Sequence, residues 1–139
     1  MSMAFAIKAE VRDPRAATFV FAAQKTMYGG KKIAAGDAIF LFASENQGGP
    51  GLIARGIVTS AKPIAKKGTM RQTPRVSITV KRTAFAKERL GRPELRLFSS
   101  WNDGRPETEL NFKFYRQATN KIAGISEEAA SFLGRFFDV

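Results

Sequence analysis

The sequence has no cysteine and no histidine among its 139 residues. Without cysteine, the chain can form neither a disulfide nor a thiolate metal site. Without histidine, it lacks the commonest metal ligand and the side chain most often used as a general base near neutral pH. Serine–histidine and cysteine–histidine catalytic sites are therefore excluded. We expect a binding protein that uses no metal and no cofactor, rather than an enzyme.

Long apolar runs are also absent. No stretch approaches the roughly 18 residues that a membrane-spanning helix requires, and Met1 to Lys8 lacks the basic and apolar regions of a signal peptide. The length suits one domain with a substantial core. We therefore expect a single cytoplasmic domain, residues 1–139, that makes no contact with a membrane. The sequence does not indicate its oligomeric state.

Acidic residues are few, and the positive charge is concentrated. Lysine and arginine number 23 against 12 acids, for a net charge of +11, and the segment Lys62 to Arg96 holds 11 of these cations but only Glu88 and Glu94 as acids. Such a field attracts polyanions and makes binding depend on salt. The alternative is a solvated surface that only aids solubility. The predicted phosphate contacts are Lys62, Lys66, Lys67, Arg71 and Arg75.

Hydrophobic patterning predicts five or six strands. Alternation of apolar and smaller or polar residues, or a short apolar run, marks each of them. The predicted strands cover Met3–Val11, Ala38–Ala43, Leu52–Ala61, Arg75–Thr83, Leu110–Phe114 and Lys121–Ile125.

Capping signals predict a helix near each end. Asp13-Pro14 favours a helix over Arg15–Lys25, although Thr18–Phe21 has the residue types of a strand. A short helical turn is predicted at Phe85–Leu90. The strongest helix signal follows Ser126, where apolar residues recur at helical spacing up to Phe137. Strands and helices together predict an α+β fold with a closed or nearly closed barrel.

Two aromatic residues lie in loops rich in glycine and polar residues. Tyr28 and Trp101 are placed where regular packing buries a ring less easily, and such rings can stack on an unpaired base. The alternative for Trp101 is that it covers one end of the barrel. Gly30-Lys31 does not form a phosphate-binding loop, because Lys25 and Lys32 occupy the positions where that motif needs glycine and serine or threonine.

The order of several segments resembles a known family. A Gly-Asp turn leads into the strand GDAIFLFAS (Gly36–Ser44), a glycine turn leads into GLIARGIV (Gly51–Val58), and FYRQ (Phe114–Gln117) precedes ISEE (Ile125–Glu128). This order is similar to that of the EVE domain of the PUA-like superfamily, which is related to YTH and ASCH domains. Where members usually carry a tryptophan near the first strand, this chain has Phe5.

The resemblance implies a PUA-like pseudo-barrel of five or six strands with helices packed around it. It also implies a pocket that accepts a flipped, modified base of DNA or RNA without performing chemistry on it. The residues that the resemblance assigns to this pocket are Tyr28, Phe42, Ser44, Trp101, Asn102, Arg116 and Gln117.

Two other functions remain open at this point. The same pocket would suit a small-molecule sensor, whose binding would respond little to salt, whereas phosphate contacts weaken steeply as salt rises. A carboxylate-dependent enzyme acting on RNA or nucleotides would draw on Asp103, Glu107 and Glu109. Such an enzyme would require environments that push the pKa values of two carboxyl groups apart.

Overall fold

Six strands form the framework of the protein. The computed structural model describes residues 4–65, 68, 73–100, 103–117 and 119–137. Within the strands, buried and exposed side chains tend to alternate, as expected for a pleated surface with one face inward. The strands are β1 (Ala4–Ala9), β2 (Thr18–Met27), β3 (Ala38–Ala43), β4 (Gly51–Pro63), β5 (Arg75–Phe85) and β6 (Lys121–Ile125).

The strands close into a barrel in the order β1-β3-β4-β5-β2-β6. Strand β1 runs parallel to β3 and antiparallel to β6. Strand β2 completes the ring, because it pairs antiparallel with β5 and, through its last residues, parallel with β6. The predicted α+β barrel is therefore confirmed, with six strands and mixed pairing.

Within the described part of the chain, four helical segments cover part of the outer surface of the barrel. They are α1 (Arg92–Leu95), α2 (Pro106–Asn111), a π-helical segment (Phe112–Arg116) that continues α2, and α3 (Glu127–Gly134). Short 3-10 turns occupy Gly30–Lys32 and Glu45–Gln47. No helix among the described residues is long and apolar enough to cross a membrane.

The protein has two apolar cores, one on each side of the barrel wall. Phe5 and Ile7 of β1 point into the barrel, where they pack with residues from the other strands. Phe40 and Phe42 of β3 face outward and pack beneath the helices with Leu133 of α3. Helices and strands therefore share one layer of buried side chains, and this layer holds the helical segments at fixed positions on the barrel.

The predicted C-terminal helix is confirmed and begins as its capping signal indicates. The Ser126 hydroxyl accepts a hydrogen bond from the Ala129 N–H at 3.0 Å, which satisfies a donor at the start of α3. Glu127 and Glu128 lie in the first turn, where the helix dipole favours negative charge.

The predicted helix over Arg15–Lys25 is wrong, and the strand alternative is correct. Phe19 and Phe21 point into the barrel, while Val20 between them is 72% exposed, which is the alternation of a strand. The capping signal of Asp13 serves a turn instead, in which its carboxylate accepts from the Arg15 N–H at 3.0 Å. Packing of the two rings in the barrel therefore outweighs the local helix signal.

Two further predictions are wrong. Leu110–Phe114 is helical rather than a strand, because Leu110 and Phe114, four residues apart, are both buried on the same side. The helical turn predicted at Phe85–Leu90 is absent, and the short helix α1 begins at Arg92 instead. There the Glu94 side chain accepts from the Gly91 N–H at 2.7 Å and caps the start of α1.

Candidate functional site

The structure brings Tyr28 and Gln117 of the predicted pocket together. Tyr28 directly follows β2 in a left-handed backbone conformation with φ of 55°, and its hydroxyl donates to Gln117 Oε1 at 2.7 Å. The ring has an edge contact with Phe112, with centroids 6.2 Å apart, and the Lys113 ammonium lies 5.1 Å from its centre. Tyr28 remains 37% exposed. Its aromatic ring is thus oriented by neighbours and still partly open to solvent.

Arg116 lies beside this pair. It ends the π-helical segment, its side chain is exposed, and one guanidinium nitrogen donates to the Ser99 carbonyl oxygen at 3.4 Å. A guanidinium carries five N–H donors, so most of them are not used by this contact. Gln117 therefore presents an amide to the Tyr28 hydroxyl, and Arg116, its neighbour in the chain, presents an exposed cation that contacts Ser99.

Phe42 is a core residue in this structure. Its side chain is only 1% exposed, and its ring stacks on Phe114 with centroids 5.5 Å apart. The stack joins β3 to the π-helical segment. Phe42 therefore supports the segment that carries Arg116 and leads to Gln117, from inside the outer core.

Ser44, which follows β3, is buried as well. Its backbone N–H donates to the Ala9 carbonyl at 2.9 Å, and the side chain is 1% exposed. Among the described residues, its hydroxyl is the one buried side-chain oxygen or nitrogen without a hydrogen-bond partner. Buried hydroxyls are nearly always bonded to protein or to ordered water. This unused group distinguishes Ser44 from the other buried polar side chains of the fold.

Two buried lysines, which sequence reasoning missed, support the π-helical segment. Lys8 of β1 and Lys121 of β6 are paired across the sheet, and both side chains are fully buried. Lys8 Nζ donates to the Phe114 carbonyl at 2.6 Å. Lys121 Nζ donates to the Gln117 carbonyl at 2.8 Å and also to the Lys113 carbonyl. Ammonium groups at the carbonyl end of a helix are electrostatically favourable.

Burial changes the acid–base properties of these lysines. Desolvation lowers the pKa of Lys8, an effect increased by the Arg92 charge and opposed by Glu45. Desolvation and the nearby Lys8 charge lower the pKa of Lys121 to about 8. Lys8 alternates with Ile7 along β1, but the segment that covers it, which includes Phe112–Phe114, was predicted as a strand.

A second polar network connects the turn after β3 to the helices. The Tyr115 hydroxyl donates to Glu45 Oε1 at 3.1 Å, and Glu45 Oε2 accepts from the Arg92 N–H at 2.7 Å. Burial, together with the adjacent Glu45 carboxylate, raises the pKa of Tyr115 well above its ordinary value. Tyr115 therefore stays protonated and acts as a donor. The network fixes the Glu45–Gln47 turn against α1 and the π-helical segment.

Two of the predicted phosphate contacts lie on neighbouring strands at one end of the barrel. Arg75 begins β5 opposite Lys25 of β2, and Lys62 is exposed near the end of β4. Ala23 forms a bulge in β2 with φ of 48°, and its carbonyl accepts from the Arg75 guanidinium at 2.7 Å. The predicted residues that lie outside the described part of the chain are Lys66, Lys67, Arg71, Trp101 and Asn102.

A polar cavity of about 310 Å³ is lined by Lys25 and Arg75. Its walls come from β2, the turn after β3, the start of β5 and the chain before β6. Among the described residues only two ion pairs occur, Glu10 with Arg12 and Glu109 with Lys113, and none of these four lines the cavity. Among the described lining residues there is no acid; they are Ala23, Gln24, Lys25, Asn46, Gln47, Arg75, Thr119 and Asn120.

Two of the three carboxylates considered for catalysis, Asp103 and Glu109, serve structural contacts. Hydrogen bonds from the Arg105 N–H and the Thr108 hydroxyl lower the pKa of Asp103. Burial alone would raise the pKa of Glu109, but hydrogen bonds from Ser126 and Lys113 outweigh it and lower the pKa. Both pKa values shift in the same direction, unlike those of an acid–base pair. Within the described ranges, no group of three or more carboxylates is placed to hold a metal ion.

Comparison with known proteins shows similarity in fold. No family model matches the chain, and no curated protein sequence matches it. The human THYN1 protein, solved in complex with DNA containing 5-methylcytosine, superposes with a TM-score of 0.66 at 14% identity, covering 99% of both chains. The DUF55 domain of human thymocyte nuclear protein 1 superposes with a TM-score of 0.64 at 13% identity, covering 93% of this chain and 95% of that one.

A third structure agrees with these two. A hypothetical protein from Leishmania major superposes with a TM-score of 0.63 at 15% identity, over 97% of this chain and 94% of the other. The fold is thus the PUA-like α+β pseudo-barrel that the sequence resemblance predicted, and it is similar to that of the THYN1 and DUF55 structures.

Proposed function

We propose that this domain binds a single strand of DNA or RNA, or a base flipped from a duplex, without catalysing a reaction on it. The observation that carries the proposal is the end of the barrel where Lys25 and Arg75 line a cavity that has no acid among its described lining residues, with Lys62 on the neighbouring strand β4. Cations free of ion pairs attract phosphates and release counterions on binding. Because phosphate contacts position the strand, neighbouring polar groups can read its bases.

One structural neighbour supports a nucleic-acid partner. The human THYN1 protein has the same fold over nearly its whole length and was solved with DNA that contains 5-methylcytosine. That barrel can therefore present a surface to DNA with a modified base. The net charge of +11 of this chain is compatible with the same class of partner.

We assign base recognition to the surface around Tyr28. A flipped base requires an aromatic wall and a few hydrogen-bonding groups for its edge. The exposed ring of Tyr28 supplies the wall, the Gln117 amide accepts from its hydroxyl, and the exposed Arg116 precedes Gln117 in the chain. Ser44, which the sequence resemblance assigns to the same site, is buried, and its hydroxyl has no hydrogen-bond partner within the described part of the chain. Trp101 and Asn102 remain part of this proposed site, with a modified base as the preferred ligand.

The absence of catalysis is part of the proposal. The chain has no histidine or cysteine, and Asp103 and Glu109 are held by hydrogen bonds that lower their pKa values. A general acid near neutral pH would instead need a raised carboxyl pKa. We therefore expect no product to form from RNA, DNA or nucleotides. A small-molecule sensor is distinguished by binding that does not depend on phosphate.

The test compares two double charge reversals of equal composition. Lys62→Glu with Arg75→Glu removes two cations from the proposed surface, whereas Lys87→Glu with Arg89→Glu removes two exposed cations beyond the other end of β5. Fluorescence anisotropy measures affinity for single strands with cytosine or 5-methylcytosine. The first variant should lose at least about 10-fold in affinity, roughly 0.7 kcal/mol or more per contact. The control should lose much less.

Equal losses in the two variants would show that binding follows net charge alone. Loss of binding to the unmodified strand only would argue against a shared phosphate surface. Absence of wild-type binding to every strand would overturn the proposed function.

A further inference from the structure

The cavity beside Arg75 offers hydrogen-bonding groups that the fold leaves unused. Gln24 Nε2 donates to the Ala22 carbonyl at 2.9 Å, and Asn46 Oδ1 accepts from the Arg92 guanidinium at 3.1 Å. A carbonyl only accepts and a guanidinium only donates, so these partners define how each amide is oriented. The Gln24 carbonyl oxygen and the Asn46 NH₂ group therefore remain available.

A second amide pair adds to this set. Asn120 Nδ2 donates to Gln47 Oε1 at 3.4 Å. This contact uses one half of each amide, so one carbonyl oxygen and one NH₂ group of the pair are unused. Within the described part of the chain, the cavity thus has two amide oxygens and two amide nitrogens without hydrogen-bond partners.

The charges of the cavity are arranged on the β2 and β5 side. Lys25 and Arg75 are partners in the β2–β5 pairing, and Arg75 uses one guanidinium nitrogen on the Ala23 carbonyl. Asn46, Gln47 and Asn120 come from other segments and are neutral. The cavity therefore combines cations with neutral donors and acceptors. A free anion would leave the amides unused, and a neutral ligand would leave the cations unused.

We propose that this cavity is a nucleotide subsite, in which the amides bind the edge of one base and Lys25 and Arg75 hold its phosphate. The edge of a nucleobase carries donors and acceptors side by side, which matches the unused amide groups. The volume of about 310 Å³ is at the lower end of that of small-ligand sites. The inference rests on the proposed function and adds a second base contact to it.

The position of the cavity along the chain relates it to the Tyr28 surface. Gln117, which contacts Tyr28, is followed two residues later by Thr119, which lines the cavity. A strand that places one base at Tyr28 would thus have a second nucleotide at the cavity. The domain would read two bases of the same strand rather than a single one.

The test uses a double variant that combines Gln47→Ala and Asn120→Ala. This variant lacks two amides of the cavity and keeps every cation. Thr59→Ala with Thr83→Ala is the matched control, because both threonines are exposed on strands outside the cavity. Affinity is measured for a single strand containing bases and for an abasic strand of the same length. The amide variant should bind the base-containing strand about 5-fold or more weakly, with little change for the abasic strand and in the control.

Gln24→Ala provides a second variant with little risk to folding, because this half-buried side chain bonds only the nearby Ala22 carbonyl. It should weaken binding of the base-containing strand by about 2-fold or more. Unchanged affinity in both cavity variants, with unfolding midpoints equal to that of the wild type, would overturn the subsite and leave the proposed function intact. Equal losses on both strands would overturn base reading. A wild type that binds neither strand would refute the proposed function itself.

Discussion

Replacement of Ser44 by alanine should stabilise the protein. Most substitutions of buried residues destabilise, but the Ser44 hydroxyl is buried without a hydrogen-bond partner. Burial of an unsatisfied polar group costs about 1–3 kcal/mol, and the small void left by an oxygen atom offsets part of this gain. We expect the free energy of unfolding to rise by about 1 kcal/mol, which corresponds to roughly 2–4 °C in the unfolding midpoint.

Ser126→Ala is the matched control for this prediction. The chemical change is the same, but the Ser126 hydroxyl accepts from the Ala129 N–H and also contacts Glu109. Loss of this cap should lower the free energy of unfolding by about 1 kcal/mol. Urea unfolding followed by circular dichroism measures both variants. The two substitutions are thus expected to change stability in opposite directions.

The Ser44 variant also tests the assignment of this residue to the base site. If the hydroxyl serves the ligand, Ser44→Ala binds the preferred strand more weakly while it is more stable than the wild type. A loss of stability as large as that of Ser126→Ala would refute the reasoning, because it would show that the hydroxyl is bonded in the native protein. A gain in stability with unchanged affinity would remove Ser44 from the site.

Three further predictions concern two buried groups and Trp101. The lowered pKa of Lys121, about 8 against an ordinary 10.5, means that the folded state binds fewer protons than the unfolded state. Stability measured by urea unfolding should therefore rise as pH increases from about 8 towards 10. The rise should be smaller in the Lys121→Met variant. An identical dependence of stability on pH in that variant would argue against the buried Lys121 as its cause. The Tyr28→Phe variant has Tyr115 as its single tyrosine. Its ultraviolet absorbance should show the phenol ionising at a pH well above the ordinary tyrosine pKa of 10.0. Ionisation near that pH would contradict the burial of the hydroxyl. If the Trp101 ring stacks on a preferred modified base, Trp101→Ala should weaken binding of that base by about 1–3 kcal/mol. A large loss of thermal stability, with an unchanged ratio of the affinities for modified and unmodified strands, would remove Trp101 from the site.

The parts of the fold that were predictable depend on local signals. Strands such as β3 and β5 show their apolar patterns within a few residues, and α3 carries its own cap at Ser126. The segment from Arg15 to Lys25 has both a capping signal and strand alternation, and only the barrel interior around Phe19 decides between them. Leu110–Phe114 is too short for its period to distinguish a helix from a strand.

The candidate site was predictable only where a residue type suggests a role by itself. The Tyr28 ring and the Arg75 cation were identified in this way. The contact between Tyr28 and Gln117 joins residues 89 positions apart, and no local sequence pattern predicts it. Lys8 and Lys121 were missed because their burial depends on a helical segment that was predicted as a strand. The Ala23 bulge likewise arises from pairing with β5.

The salt dependence of wild-type affinity for a single-stranded oligonucleotide tests the central claim most directly. If Lys25, Lys62 and Arg75 each contact a phosphate, the logarithm of the association constant should fall linearly with the logarithm of salt concentration. The slope should have a magnitude of roughly 2, since each contact to a single strand contributes about 0.7. A slope near zero, or no measurable binding at low salt, would contradict the account of this surface as a nucleic-acid interface.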